Sequence, residues 1–184
     1  GDVVSRIAAG EVVERPAAVV KELIENSVDA QSRTITVDIK DGGLACIRVT
    51  DDGEGMSRAD APQAFERHAT SKLQTADDLD RIATFGFRGE ALYSIAAVSH
   101  VTLITRHKSE EFGLQMRLEG GNLTDQSRAG SPICTSISIE HLFFNTPARA
   151  KFLRQPATEA GQIASVIQRY ALAYPKVRFS LVNE

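Results

Sequence analysis

Lys21-Glu22-Leu23-Ile24-Glu25-Asn26-Ser27-Val28-Asp29-Ala30 reads as a helix. At about 100° per residue, Glu22, Glu25, Asn26 and Asp29 gather within roughly 60° of one another. Val19, Val20, Leu23, Ile24 and Val28 take the other side. An apolar stripe of this kind packs on a core. The polar stripe is less ordinary, because stacked acids repel along a helix. Two readings of it stand: a solvated acidic face, or a site for a metal and a nucleotide. In the second, Glu22 is a general base and Asn26 is a Mg²⁺ ligand through its amide oxygen, since Mg²⁺ takes hard oxygen donors.

Working outward, Pro16 suits the first turn of this helix, where a missing N–H costs little. A short helix is expected over Val3–Ala9, stopped by Gly10. Downstream, Ile35, Val37 and Ile39 alternate with polar residues, as a half-buried strand does. Asp41-Gly42-Gly43 turns the chain. In the next strand Ile47, Val49 and Asp51 share one face, so an inward apolar row ends in a carboxylate. Asp52-Gly53-Glu54-Gly55-Met56 must turn, and Ser57 is placed to cap a helix running to about Arg67. Residues 68–89 read as a loop-rich lid, and Glu90–Val98 as a helix of small residues.

Strands are expected at Val101–Thr105, Phe112–Leu118, Ile133–Ile139 and Val177–Leu181. Helices are expected at Pro147–Leu153 and Thr158–Tyr174, parted by Pro156. Hairpin-linked strands with interspersed helices predict an α/β sandwich on a mixed, largely antiparallel sheet. Regular βαβ alternation is missing, which argues against a doubly wound sheet.

The chain has 184 residues, 42% hydrophobic and 24% charged, with a net charge of −3. That is ordinary globular composition. It is not the balance of a wholly basic nucleic-acid clamp, so contact with nucleic acid would need a local patch. Arg149, Lys151, Arg154, Arg169, Lys176 and Arg178 could form one, or could be a solvated surface. Cys46 and Cys134 form no spaced motif, and the four histidines lack zinc-ligand spacing. No apolar run approaches the roughly 20 residues that span a bilayer. The chain begins Gly1-Asp2 and ends just after a strand-like run, so truncation at both ends is expected.

Four blocks could carry chemistry. Asp51 to Met56 places a carboxylate at a pocket floor, where it would accept from an exocyclic amine such as that of adenine. An unpaired buried carboxylate is costly, so such a site selects its ligand sharply. Thr84 to Leu92 sets glycines ahead of a helix start, where backbone N–H groups favour an anion. It is not a Walker A loop. Arg67-His68-Ala69-Thr70-Ser71-Lys72 is either plain surface or part of a lid over phosphates. Phe143 to Arg149 reads as a hydrophobic turn capped by Asn145 or Thr146 ahead of Pro147.

In this order, the blocks resemble the N-terminal ATPase region of MutL-type DNA mismatch repair proteins, within the GHKL superfamily of gyrases and histidine kinases. The resemblance rests on Ile7 to Pro16, Glu25 to Ala30, Arg67 to Lys72, Phe85 to Leu92 and Phe144 to Arg149, and it runs from about Arg6 to the end. It implies the Bergerat fold, a mixed sheet covered by helices on one face, with residues 1–184 as one domain. The family's second subdomain and C-terminal dimerisation domain would be absent.

It also implies roles. Glu22 activates the attacking water, and Asn26 binds Mg²⁺. Asp51 holds the adenine amine, with Gly53, Gly55 and Met56 shaping the pocket and Thr135 beside it. Ser71 and Lys72 belong to the ATP lid, while Gly86, Phe87, Arg88 and Gly89 face the phosphates. The implied cofactors are ATP and Mg²⁺. The implied partners are a mismatch-recognition protein, downstream repair factors, weakly held non-specific DNA and a second N-terminal region in an ATP-induced homodimer or heterodimer, with no membrane. The implied location is bacterial cytoplasm or the eukaryotic nucleus. One departure stands out: Cys134 replaces a usual glycine, and its side chain is expected to crowd or slightly reshape the adenine side. Without the second subdomain's lysine, the chain alone is expected to hydrolyse poorly.

Overall fold

The computed structural model describes residues 13–67 and 90–184. The expected helix at Val3–Ala9 and the lid over 68–89 lie outside them. Helix α1 spans Pro16–Asp29 with Pro at its first turn and Arg15 as an extended N-cap. Its stripe of Val19, Val20, Leu23 and Ile24 is almost wholly buried. Each such side chain stabilises the fold by about 1.5–3 kcal/mol.

Strand β1 (Thr34–Lys40) and strand β2 (Cys46–Asp51) form a hairpin closed by a 3-10 turn at Asp41–Gly43. Helix α2 covers only Asp60–Gln63. The Ser57 hydroxyl does accept from Asp60 N–H at 3.1 Å. The expected helix to Arg67 instead tightens after Gln63, where Phe65 and Glu66 N–H reach back only to Pro62 and Gln63. Helix α3 is Ala91–Ala97, followed by strand β3 (His100–Arg106) and strand β4 (Gly113–Glu119).

Strand β5 (Asn122–Ala129) was not legible in the sequence. It is a polar edge strand, exposed along nearly all its length, so it has no apolar alternation to read. Strand β6 is Cys134–Glu140. Helix α4 is shorter than expected, Pro147–Ala150, and continues as tight turns to Leu153. Helix α5 is Pro156–Ala173, so Pro156 begins it rather than merely preceding it. Strand β7 (Arg178–Asn183) follows.

The strand order is β5-β4-β3-β6-β2-β1-β7 in a seven-stranded sheet. All neighbours are antiparallel except β1 and β7. One row of strand residues, with Ile35, Val37, Ile47, Val49, Leu103, Met116 and Ile139, meets Leu23, Ile24, Ile95 and Ile163 in the core. The alternate row, including Thr36, Arg48, Thr102, Ser136 and Ser138, turns away and is partly or fully exposed. This one-sided burial is the usual economy of an antiparallel sheet.

The Phe143 to Arg149 block has a structural task different from the one expected. Asn145 Nδ2 donates to Ala97 O at 2.8 Å, and Phe143 N–H donates to Val98 O at 2.7 Å. Asn145 thus caps the C-terminal end of α3, while Thr146, the N-cap of α4, makes no side-chain cap bond.

Candidate functional site

The site is built where three inward rows end together. In β2 the row Ile47, Val49 ends in Asp51, and in β6 the row Ile139, Ile137 ends in Thr135. In β3 the row Val101, Leu103 ends in Thr105. The register pairs Asp51 with Thr135 and Thr135 with Thr105. A carboxylate and two hydroxyls therefore lie side by side across adjacent strands, and all three are buried.

Helix α1 is pinned to this row through its buried Ser27. Ser27 Oγ donates to Asp51 Oδ2 at 2.7 Å, and Gly53 N–H donates to Asp51 Oδ1 at 2.9 Å. Asn26 is the residue before Ser27, and Glu22 lies one turn earlier on the same half-buried side. The structure thus brings together Asp51, Gly53 and Thr135, with Asn26 and Glu22 on the helix that Ser27 ties to them. Glu25, in the same stripe, has a partner of its own: its carboxylate accepts from the Tyr170 hydroxyl of α5. Ser71, Lys72, Gly86, Phe87, Arg88 and Gly89 lie outside the described residues.

The two glycines are needed because the backbone there leaves no room for a side chain. A Cβ on Gly53 would stand 2.7 Å from Ala30 O and 2.6 Å from Ser32 Oγ. Gly55 has φ +72, and a Cβ there would fall 1.9 Å from Arg106 O. The chain after Asp51 is pressed between the end of α1 and the end of β3, and only glycine fits. Met56 follows, half-buried, and its N–H donates to Thr105 Oγ1 at 2.9 Å.

Cys134 does not crowd the pocket. Strand alternation turns it to the face opposite Thr135, where its Sγ lies 3.2 Å from Ser131 Oγ. Only its carbonyl borders the site, accepting from Thr105 Oγ1 at 3.0 Å. Thr105 itself was missed by sequence reasoning. The signal was present, because a polar residue ending an inward apolar row is what singled out Asp51.

Burial pushes the Asp51 carboxyl above its ordinary value. The hydroxyl of Ser27 and the N–H of Gly53 pull it back, and neighbouring Asp52 adds to the rise. Ser32 acts in the same direction as Ser27 but has no hydrogen-bond partner in good geometry among the described residues, so Ser27 is the partner that matters. The floor is therefore an acceptor under strong demand for a donor. As for a metal, no group of three or more His, Cys, Asp or Glu among the described residues could hold one. The half-buried Asn26 amide near Glu22 still fits Mg²⁺, which is commonly held by one or two protein oxygens together with substrate phosphates.

The profile of the "Histidine kinase-, DNA gyrase B-, and HSP90-like ATPase" family matches residues 14–143. The chain is 54% identical over 181 residues to the DNA mismatch repair protein MutL of Caldanaerobacter subterraneus subsp. tengcongensis, covering 98% of this chain and 31% of that protein. It is 53% identical over 180 residues to that of Geobacter sulfurreducens, covering 98% of this chain and 30% of the relative. It therefore spans about a third of these relatives' length. Among solved structures, the Aquifex aeolicus MutL ATPase domain complexed with ADP superposes with a TM-score of 0.76 at 35% identity, over 94% of this chain and 61% of that one. The N-terminal domain of a DNA repair protein superposes at 0.82 with 30% identity, over 98% and 52%.

Proposed function

The chain belongs to the histidine kinase-, DNA gyrase B- and HSP90-like ATPase family, in its MutL-type branch, and from that premise we propose that it binds ATP with Mg²⁺ as a conformational switch in DNA mismatch repair. The observation that carries this reading is the buried row of Asp51, Thr135 and Thr105, tied through Ser27 to the helix bearing Asn26 and Glu22. Asp51 accepts from the adenine amine, and Gly53, Gly55 and Met56 form the adjoining wall. The ADP complex of the Aquifex relative supports a nucleotide at such a pocket.

Asn26 would hold Mg²⁺ through Oδ1, and the ion supplies charge neutralisation at the phosphates when bound. Glu22 orients the attacking water and receives its proton. Positioning and electrostatics do most of the work in phosphoryl transfer, so one carboxylate suffices as base. In this reading Ser71 and Lys72 belong to the ATP lid, and Gly86, Phe87, Arg88 and Gly89 face the phosphates. ATP then brings two N-terminal regions together, and hydrolysis resets them. The mismatch-recognition protein, downstream repair factors and loosely held DNA read the two states. Residues 1–184 act here as one domain, working with further parts of a longer protein.

Calorimetric titration with a non-hydrolysable ATP analogue and Mg²⁺ tests the pocket. Binding is expected for the unmutated chain and is expected to vanish in Asp51→Asn; retained binding in the variant would remove adenine from Asp51. In the longer protein, Glu22→Ala is expected to abolish turnover and spare ATP binding. Unchanged turnover would sink the role given to Glu22.

A further inference from the structure

The wall formed by Gly53, Gly55 and Met56 belongs to a segment that is neither strand nor helix. At its start, Gly53 N–H donates to Asp51 Oδ1 and Glu54 N–H to Ala30 O. At its end, the N–H groups of Asp60 and Ala61 return to Ser57, and α2 takes over. Between these points the segment leans on β3 and the turn that follows it. Gly55 lies so close to Arg106 O that no Cβ fits, and Met56 N–H donates to Thr105 Oγ1 at 2.9 Å. The last tie comes from Glu110, on the turn between β3 and β4. Its Oε1 accepts from Arg58 N–H at 2.9 Å, and its Oε2 accepts from Arg58 Nε at 3.2 Å.

The turn that carries Glu110 is itself braced. Arg106 Nε donates to Glu110 O at 3.0 Å and Arg106 Nη1 donates to Ser131 O at 3.2 Å, while Glu110 N–H returns to His107 O. The two halves of the Glu110–Arg58 contact are unequal. The Arg58 side chain is 55% exposed, whereas that of Glu110 is 18% exposed. An ion pair to a guanidinium standing in water holds little. A backbone N–H donating to a mostly covered carboxylate is a charge-assisted bond, about twice as strong as a neutral one. The grip on the segment is therefore the bond to the Arg58 amide, not the pairing of charges.

We propose that Glu110 is a positioning residue for the nucleotide: by holding the Arg58 amide it keeps the pocket wall against the ligand and sets how long the ligand stays. The inference rests on the nucleotide reading above. Glu110 makes no contact with the nucleotide in it and acts through the segment it holds.

The test follows dissociation of ADP carrying a fluorescent label on its ribose, chased with unlabelled ADP in the presence of Mg²⁺. Glu110→Ala is expected to speed dissociation about fivefold, the size of one hydrogen bond. Glu110→Gln keeps a neutral acceptor for the Arg58 amide and should speed it about twofold. Arg58→Ala keeps the amide and should dissociate close to the unmutated rate. An equal effect of Glu110→Ala and Arg58→Ala would reduce the contact to a surface ion pair and overturn the proposal. A purely structural role would lower the unfolding temperature and leave the dissociation rate alone, which also overturns it. If Glu110→Ala does not fold, Glu110→Gln carries the test, and an unchanged rate in it is the overturning result. Amide exchange over residues 53–59 of the ligand-free chain reads the wall directly. It is expected to quicken in Glu110→Ala and not in Arg58→Ala, and no difference between them overturns the proposal. If the unmutated chain binds no labelled ADP, the nucleotide reading fails and takes the proposal with it. If it binds and all three variants release at its own rate, the nucleotide reading survives and the role of Glu110 alone is overturned.

Discussion

Asp51 is held in a state that its surroundings resist. Its folded pKa is raised above the unfolded value, chiefly by burial. Relative to an uncharged residue, this group's contribution to stability is fully present below the unfolded pKa and is lost as pH rises through the folded one. In urea denaturation, the unmutated chain is therefore expected to gain on Asp51→Asn as pH falls from neutral toward about 4. A difference between the two that stays flat with pH would mean that Asp51 carries no such burden. Nucleotide affinity should move the opposite way, falling as the carboxylate takes up a proton and loses its charge as acceptor. At this scale the sequence was informative wherever an inward row ended in a polar side chain. Asp51 was read from such a row, while the same pattern in Val101, Leu103 and Thr105 passed as plain strand. The task of Gly55 could not be read, because Arg106 O, which occupies its Cβ position, is distant in sequence.

Helix α1 carries the proposed catalytic side chains, and α5 holds it in place. The Tyr170 hydroxyl donates to Glu25, and Arg15 Nη1 donates to Gln162 Oε1 at 2.8 Å, so the two helices are tied at two separate points. The Lys21–Glu25 pair, at 4.0 Å with Lys21 exposed, adds little. Removing the hydroxyl with Tyr170→Phe is expected to cost about 1–2 kcal/mol, read by urea denaturation. A double cycle with Glu25→Gln should be non-additive; full additivity would mean that the two side chains do not work as a pair. The long, strongly patterned elements were legible in the sequence: α1, α5 and the strands β1, β2, β3, β4, β6 and β7. Strand β5 was not, because both its faces meet water and no period survives. The Tyr170 partner of Glu25 was not legible either, because it stands on a helix distant in sequence.

For the molecule as a whole, the net charge of −3 leaves any nucleic-acid contact to a local patch. Lys151, Arg154, Arg169, Lys176 and Arg178 are exposed and Arg149 is partly so, while Phe152 stands 77% exposed among the first of them. Binding of a labelled single-stranded oligonucleotide is expected to be weak, with log affinity falling against log salt by about 0.7 per phosphate neutralised. Replacing Arg149, Lys151 and Arg154 with Ala should flatten that slope by about 2. A slope already flat in the unmutated chain would remove the patch from consideration.

The strand order has a kinetic consequence. β6 lies between β2 and β3, joining the β1–β2 hairpin to the β3–β4–β5 meander. The two hairpin units can form from near neighbours in the chain, but Asp51 acquires Thr135 only when β6 slots between them. β7 then reaches back to β1, with Thr34 beside Arg178. Closing contacts so far apart is slow, so the pocket is among the last parts of the molecule to exist. On the reading proposed above, a half-folded chain on the ribosome has no nucleotide site to fill, and ATP rewards only molecules whose sheet is complete.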